Sequence, residues 1–445
     1  MADSSLTEEQ VLALAPDASV ATAGRKLARV QGWRGLGQDE RAAWGECQGS
    51  ALYQVRLDLS DLSSKCSCPS RKFPCKHAVG LLLLVAARQL PAGEPPDWVR
   101  EWLERRAASA ERKEQRKQTS AEAGAPVVDT QAQKRRASER QERVSKGLDA
   151  LSLWMEDLVR TGFTGLEADV ERWNTQAARL VDAQAPGLAS RVRQLAMLPG
   201  SGPDWPRRLL DRLGRLALVT EAWKRLEQLP APLAEDLRAL VGIPLREEDV
   251  EARGERVRDT WGVLGVEQDE TDRVRVQRVH LLGVTTGRAA LVLQFAAGRA
   301  GFTDSYLPGT ALDAELVYWP SAAPQRAKVG TRQGTVRAWT DALPTLSLGG
   351  LRQRFAEELS RQPFLDTTAA LLGQVTPVLD TQGRWWLQDA AGDTLRLDAG
   401  HHPWQVLALS GGHPLDVFGV WDGETLTPLS TRVGPTLYAL GGGTP

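Results

Sequence analysis

The scarce features of this chain narrow it first. Its 445 residues hold five histidines, four cysteines and three methionines, and its net charge is only -1. A near-neutral chain is not a polycation that coats nucleic acid, so any basic surface has to be local. No apolar run approaches the length of a membrane span. The longest, Ala78 to Ala87, is about half of what a span needs, is broken by Gly80 and ends at Arg88. The opening MADSSLTEEQ lacks the basic start and apolar core of a signal peptide. These absences lead us to expect a cytoplasmic protein with no membrane contact. Catalytic motifs are missing too: there is no Gly-x-x-x-x-Gly-Lys-Ser/Thr loop, no His-Glu-x-x-His and no Gly-x-Ser-x-Gly elbow. We therefore expect no enzyme. An unrecognised site in the β-rich region is the reading that would overturn this, and it would need clustered acids or histidines in a pocket.

The composition that remains is that of a globular protein, 42% hydrophobic and 25% charged. Its length suggests about three domains. Residues 4–46 read as helical, with Ser5 and Glu8 at capping-box spacing before Val11, Leu12 and Leu14. Asp17 suits the cap of a second helix running to about Val30, with Trp33 and Trp44 as anchors to a small core. Residues 51–59 alternate cleanly, Tyr53, Val55, Leu57 and Leu59 against Gln54, Arg56 and Asp58, and predict a half-buried strand. From His77 to about Gln89 an apolar helix follows, stopped by Pro91.

Between that strand and that helix the few cysteines concentrate. Cys66-Ser67-Cys68, six intervening residues and Cys75-Lys76-His77 place three thiols and an imidazole within twelve residues. His77 is the only histidine in the first 279 residues. Zinc takes four tetrahedral ligands, and two on each side of a short loop can supply them. Four protein ligands close the site, which makes it structural; a catalytic zinc keeps one position open. Cys47 lies nineteen residues upstream of Cys66, across the strand, and reads as a small buried residue.

Cys-x-Cys followed by Cys-x-His, after an alternating strand and before an apolar helix, resembles the SWIM-type zinc finger of bacterial proteins. CSCPSRKFPCKHAVGLLLL and the preceding WGECQGSALYQVRLDLS carry the resemblance, which covers about residues 1–105. It implies a ββα-type zinc module that binds DNA or proteins, with ATPase or von Willebrand-type proteins as associates.

The zinc loop is basic. Lys65, Arg71, Lys72 and Lys76 surround Phe73, a set suited to a phosphate backbone, RNA or DNA, or to a pocket on a partner protein. Residues 101–147 read as a charged, solvated basic linker, part helical and part disordered; residues 100–147 hold 13 basic against 8 acidic side chains. Residues 148–250 return to helical patterning and residues 251–445 are β-rich, a barrel or sandwich, interrupted by a helix near 350–361. The whole reads as a multidomain α+β chain in which the linker isolates the zinc module, and the C-terminal body shares no core with it. WQVLALSGGHPLDVFGVWDG is taken as strand. His401, His402 and His413 read as turn residues rather than a second metal site, and Asp389, Asp393 and Asp398 as hairpin-turn acids rather than calcium ligands. Trp385 and Trp386, adjacent in a strand, should face opposite sides.

Overall fold

A computed structural model describes residues 6–70, 72–122, 130–271, 274–298, 302, 304–339, 342–398, 400 and 403–441. The chain opens with two short helices, α1 (Glu8–Ala13) and α2 (Ala18–Leu27). The capping box sits two residues later than the sequence suggested. Thr7 accepts from the Gln10 backbone, and the Gln10 side chain accepts from Thr7. Ser5 lies outside the described residues. Asp17 caps α2 by accepting from the Val20 backbone.

The helical reading of 4–46 fails after Leu27. Residues Trp33–Gln38 and Ala42–Gln48 are strands β1 and β2. Glycines at 32, 35, 37 and 45 weaken a helix there. Gly35, at φ +55°, lies within the register shift between Arg34 and Gly37. With β3 (Leu52–Asp58) and β4 (Ser63–Cys66) they form a four-stranded antiparallel meander in the order β1-β2-β3-β4. Helix α3 (Lys76–Ala86) packs its buried run Ala78–Leu84 on this sheet and on α2. The two helices approach closely at Gly24, where a Cβ would fall 2.6 Å from Val79. β3, β4 and α3 thus form the expected ββα unit inside a larger module.

Helices α4 (Asp97–Glu122) and α5 (Thr130–Thr161) occupy most of the stretch read as a linker. Val99, Trp102 and Leu103 of α4 are buried against Ala42 and Trp44 of β2, so the beginning of that stretch belongs to the zinc module's own packing. The end belongs to a helical bundle. There the C-terminal half of α5 joins α6 (Val170–Asp182), α7 (Pro186–Leu195), α8 (Trp205–Trp223) and α9 (Ala231–Val241) around Trp173, Leu151, Leu188 and Leu237.

A short helix, α10 (Glu247–Arg253), leads into the β-rich region. Strands β5 (Arg256–Thr271), β6 (Val274–Gly283), β7 (Ala289–Ala297), β8 (Thr310–Tyr318) and β9 (Arg326–Ala338) close a barrel in the order β5-β6-β7-β9-β8. The β7–β9 contact is parallel and the others antiparallel. This is the strand order of the five-stranded Greek-key OB barrel. Its long first strand pairs on both sides and shifts register between Val263 and Gly265. After α11 (Leu348–Arg361), a six-stranded sheet forms from β10 (Thr368–Leu379), β11 (Trp385–Gln388), β12 (Thr394–Leu397), β13 (Leu415–Trp421), β14 (Thr425–Val433) and β15 (Thr436–Ala439). Part of the segment read as strand is instead α12 (Pro403–Ser410). A short apolar run has no decisive period; Pro403 starts the helix, and Gly411 and Gly412, both at positive φ, end it. The sheet packs on the barrel, where the Ser430 hydroxyl donates to the Leu264 carbonyl at 2.6 Å and Phe418 lies 5.7 Å from His280, ring to ring.

The expectation that the C-terminal body shares no core with the zinc module is overturned. Leu307, just before β8, is buried in the zinc module's core, and Val336 of β9 packs against it. The Val336 amide donates to the Leu59 carbonyl at 3.0 Å, and the Gln10 side-chain amide donates to the Gly309 carbonyl at 2.8 Å. Leu307 and Val336 join the cluster that α3 itself packs into, whereas the opposite face of the sheet, Ala42 and Trp44, is covered by α4. No described helix is long and apolar enough to cross a membrane.

Candidate metal centre

Each ligand of the centre comes from a different local structure. Cys66 ends β4, where its backbone pairs with Val55 on β3. Cys68 follows in the loop, with its amide 3.5 Å from the Cys66 sulfur. Cys75 is the N-cap residue of α3, in an extended conformation, and His77 is the second residue of that helix. The four donor atoms all lie within 4.8 Å of one another. Nδ1 of His77 stands 3.7 Å from the Cys66 sulfur and 3.9 Å from the Cys75 sulfur. Tetrahedral zinc with bonds of about 2.3 Å to sulfur and 2.0–2.1 Å to nitrogen sets nitrogen and sulfur roughly 3.5–3.6 Å apart, slightly closer than these. The donor set and its spacing fit zinc. Among the described residues this is the only group of three or more such side chains close enough to hold a metal.

Cys75 and His77 are buried and the Tyr53 ring packs 5.0 Å from that of His77. The N-terminus of α3 directs its positive end at the sulfurs, which favours thiolate. Hydrogen bonding from the Cys66 thiol, helped by His77, brings the Cys75 thiol down to about 4. The same bond raises Cys66, and burial raises Cys68. Binding zinc as three thiolates displaces to solvent the protons that these thiols carry. Three thiolates and a neutral imidazole leave a zinc centre with one net negative charge. Arg56, paired with Lys65 across β3–β4, feels the charge of Cys66, and Lys76 sits between two ligands.

The remaining sequence candidates divide. Phe73 is 49% exposed at the loop's outer end. Lys72 is committed to its own chain, with Nζ 2.6 Å from Asp17 and 3.2 Å from the Ser19 hydroxyl. Lys65 and Lys76 are exposed. Arg71 lies outside the described residues, as do His401 and His402; His413 is exposed in the turn after α12. Cys47 is fully buried in the module's core. Asp389 serves its hairpin turn, accepting from the Ala391 and Asp393 amides. Trp385 is buried against the Trp404 ring, while Trp386 faces the other side and donates to Asp380.

Sequence reasoning missed the groups that tie α4 to the sheet. Arg106 of α4 pairs with Asp61 and lies 3.7 Å from Asp58, two carboxylates buried at the β3–β4 turn. Burial holds Asp61 above the usual carboxylate range, with Arg106 opposing. The strand's alternation had assigned Asp58 to solvent, and only α4, forty residues on, covers it.

Two family models match. Residues 53–86 match the SWIM zinc finger, and residues 139–241 match the SWIM-associated four-helix bundle domain. No curated protein and no solved structure matches the chain. The chain therefore carries a SWIM zinc finger with one structural zinc held by Cys66, Cys68, Cys75 and His77, and the bundle that accompanies such fingers.

Proposed function

We propose that this chain, with a SWIM finger and its associated bundle joined through a barrel and sheet, is a non-enzymatic cytoplasmic protein that binds a protein partner through the rim of the zinc loop. The observation that carries this reading is Phe73. A large aromatic ring is 49% exposed on a loop whose two ends are fixed by metal ligands. Seating a ring on a loop tethered at both ends costs less conformational entropy than ordering a free segment. The closed ligand set supports a supporting rather than a reacting role for the metal.

Binding of DNA or RNA by the same loop is the second reading, favoured by the exposed Lys65 and Lys76. Lys72 speaks against it, because its charge is already spent on Asp17. Affinity capture with the intact zinc-loaded protein, run with and without nuclease, separates the two. We expect a protein captured in both arms and lost, by about tenfold or more, in Phe73→Ala with zinc content unchanged. Capture that disappears with nuclease, or that Phe73→Ala leaves intact, refutes the first reading.

A further inference from the structure

Beside the metal centre, on the side where α4 crosses the sheet, lies an open groove of about 390 Å3 between α4 and the β3–β4 hairpin. Four cations line it, Arg56, Lys65, Arg105 and Arg106, against one carboxylate, Glu101. Two of the cations are answered within the chain. Arg105 pairs with Glu101 at 2.5 Å, and Arg106 with Asp61 and Asp58. For Arg56 and Lys65 no carboxylate partner stands among the described residues.

Arg56 is held in place without being satisfied. Its guanidinium lies 5.2 Å from the Trp98 ring and 5.9 Å from the Trp102 ring. One of its terminal nitrogens donates to the Trp98 carbonyl at 3.2 Å, and its buried Nε has no hydrogen-bond partner. A guanidinium fixed between two rings and part-desolvated has lost water contacts that one carbonyl does not replace. Its rigid fork is matched in geometry by a carboxylate.

We propose that this groove docks an acidic segment of the partner protein, whose carboxylates pair with Arg56 and Lys65. The inference rests on the reading of the chain as a protein-binding module and names the chemistry of what it binds. Two features favour an acidic peptide over a nucleic acid. Arg56 and Arg106 already stand over the tryptophan rings, Arg106 at 5.2 Å from Trp102, which takes those faces from incoming bases. At about 390 Å3 the groove also has room for only a few side chains.

The test uses the full zinc-loaded chain and fluorescence anisotropy with three labelled probes. These are a ten-residue peptide rich in Glu and Asp, its Gln and Asn counterpart, and an oligothymidylate of equal charge. The acidic peptide should bind at least about tenfold more tightly than either of the others. Arg56→Gln and Lys65→Glu should each weaken it by about tenfold or more. Zinc content and thermal melting report whether Arg56→Gln still folds; Lys65, exposed on β4, decides the matter if it does not. Tighter binding of the oligothymidylate, equal binding of the neutral peptide, or indifference to both groove substitutions in folded protein overturns the proposal. A captured partner that depends on Phe73 but not on Arg56 or Lys65 sinks the groove alone, whereas acidic-peptide binding without any captured protein sinks the broader reading.

Discussion

In the zinc module, four short strands and three helices surround a metal site whose ligands lie within twelve residues of one another. In the bundle, α5 to α9 meet along apolar stripes, with Trp173, Leu180 and Leu188 fully buried. The bundle's stability is spread over many interchangeable contacts. The module adds to its own buried core four ligand atoms that one ion holds together. Yet each takes one buried side chain from the C-terminal region, Leu307 in the module and Phe364 in the bundle. The two regions differ in how they hold themselves and agree in how they are joined.

Metal removal should part them most. Structural zinc contributes on the order of 10 kcal/mol in small zinc fingers, and folding and binding are one event there. Chelation, or His77→Ala, should abolish hydrogen-exchange protection across residues 53–86 while residues 144–241 keep theirs. Some loss should reach β9 near Val336, which donates to Leu59. Acid should act in the same direction. Cys66 and Cys68 are held above the ordinary thiol range, so zinc competes with their protons, and apparent affinity should fall as pH drops. Collapse of the bundle's protection along with the finger's would show one cooperative unit.

Core truncations come next. Trp173→Ala should cost about 3–5 kcal/mol and Leu307→Ala about 2–5 kcal/mol. The comparison predicts opposite signatures. Trp173→Ala should lower the bundle's melting transition with one zinc per chain retained. Leu307→Ala should hasten zinc loss to a chelator, although the residue lies about 230 positions from the ligands. Identical zinc-release rates in wild type and Leu307→Ala would mean that the shared core is energetically silent.

The smallest effect is expected at the surface. Lys72, then Ser19 and the Val20 amide, hold the Asp17 carboxyl well below its usual range. A depressed carboxylate contributes stability that is present above the unfolded value, about 3.8, and fades as pH falls toward the folded one. Asp17→Asn should therefore lower melting slightly at pH 7, and by less as pH falls below about 3.8. Its zinc content should match wild type, and loss of zinc would tie the α2 cap to the metal loop.

Much of the module was legible because its information is local. The ligand spacing, the alternation of Tyr53 to Leu59 and the apolar run after His77 each announce themselves within about twelve residues. The helical patterning of residues 148–250 was legible for the same reason. β1 and β2 were not, because WRGLGQ and AAWGECQ are short and glycine-broken, and become strands by pairing with each other and with β3. The segment Pro403–Ser410 was misread because eight apolar-rich residues suit either helix or strand until a neighbouring layer chooses.

By itself the sequence determined the metal, its four ligands, the helical middle and the β-rich end, since each depends on residues close together along the chain. Tertiary structure alone decided that β5 to β9 close into a barrel, that Leu307 and Val336 enter the zinc module's packing, and that α4 covers Asp58 and brings Trp98 and Trp102 to Arg56. Those outcomes depend on pairings between distant segments, where the gain is buried apolar area and satisfied hydrogen bonds that no short window of sequence contains.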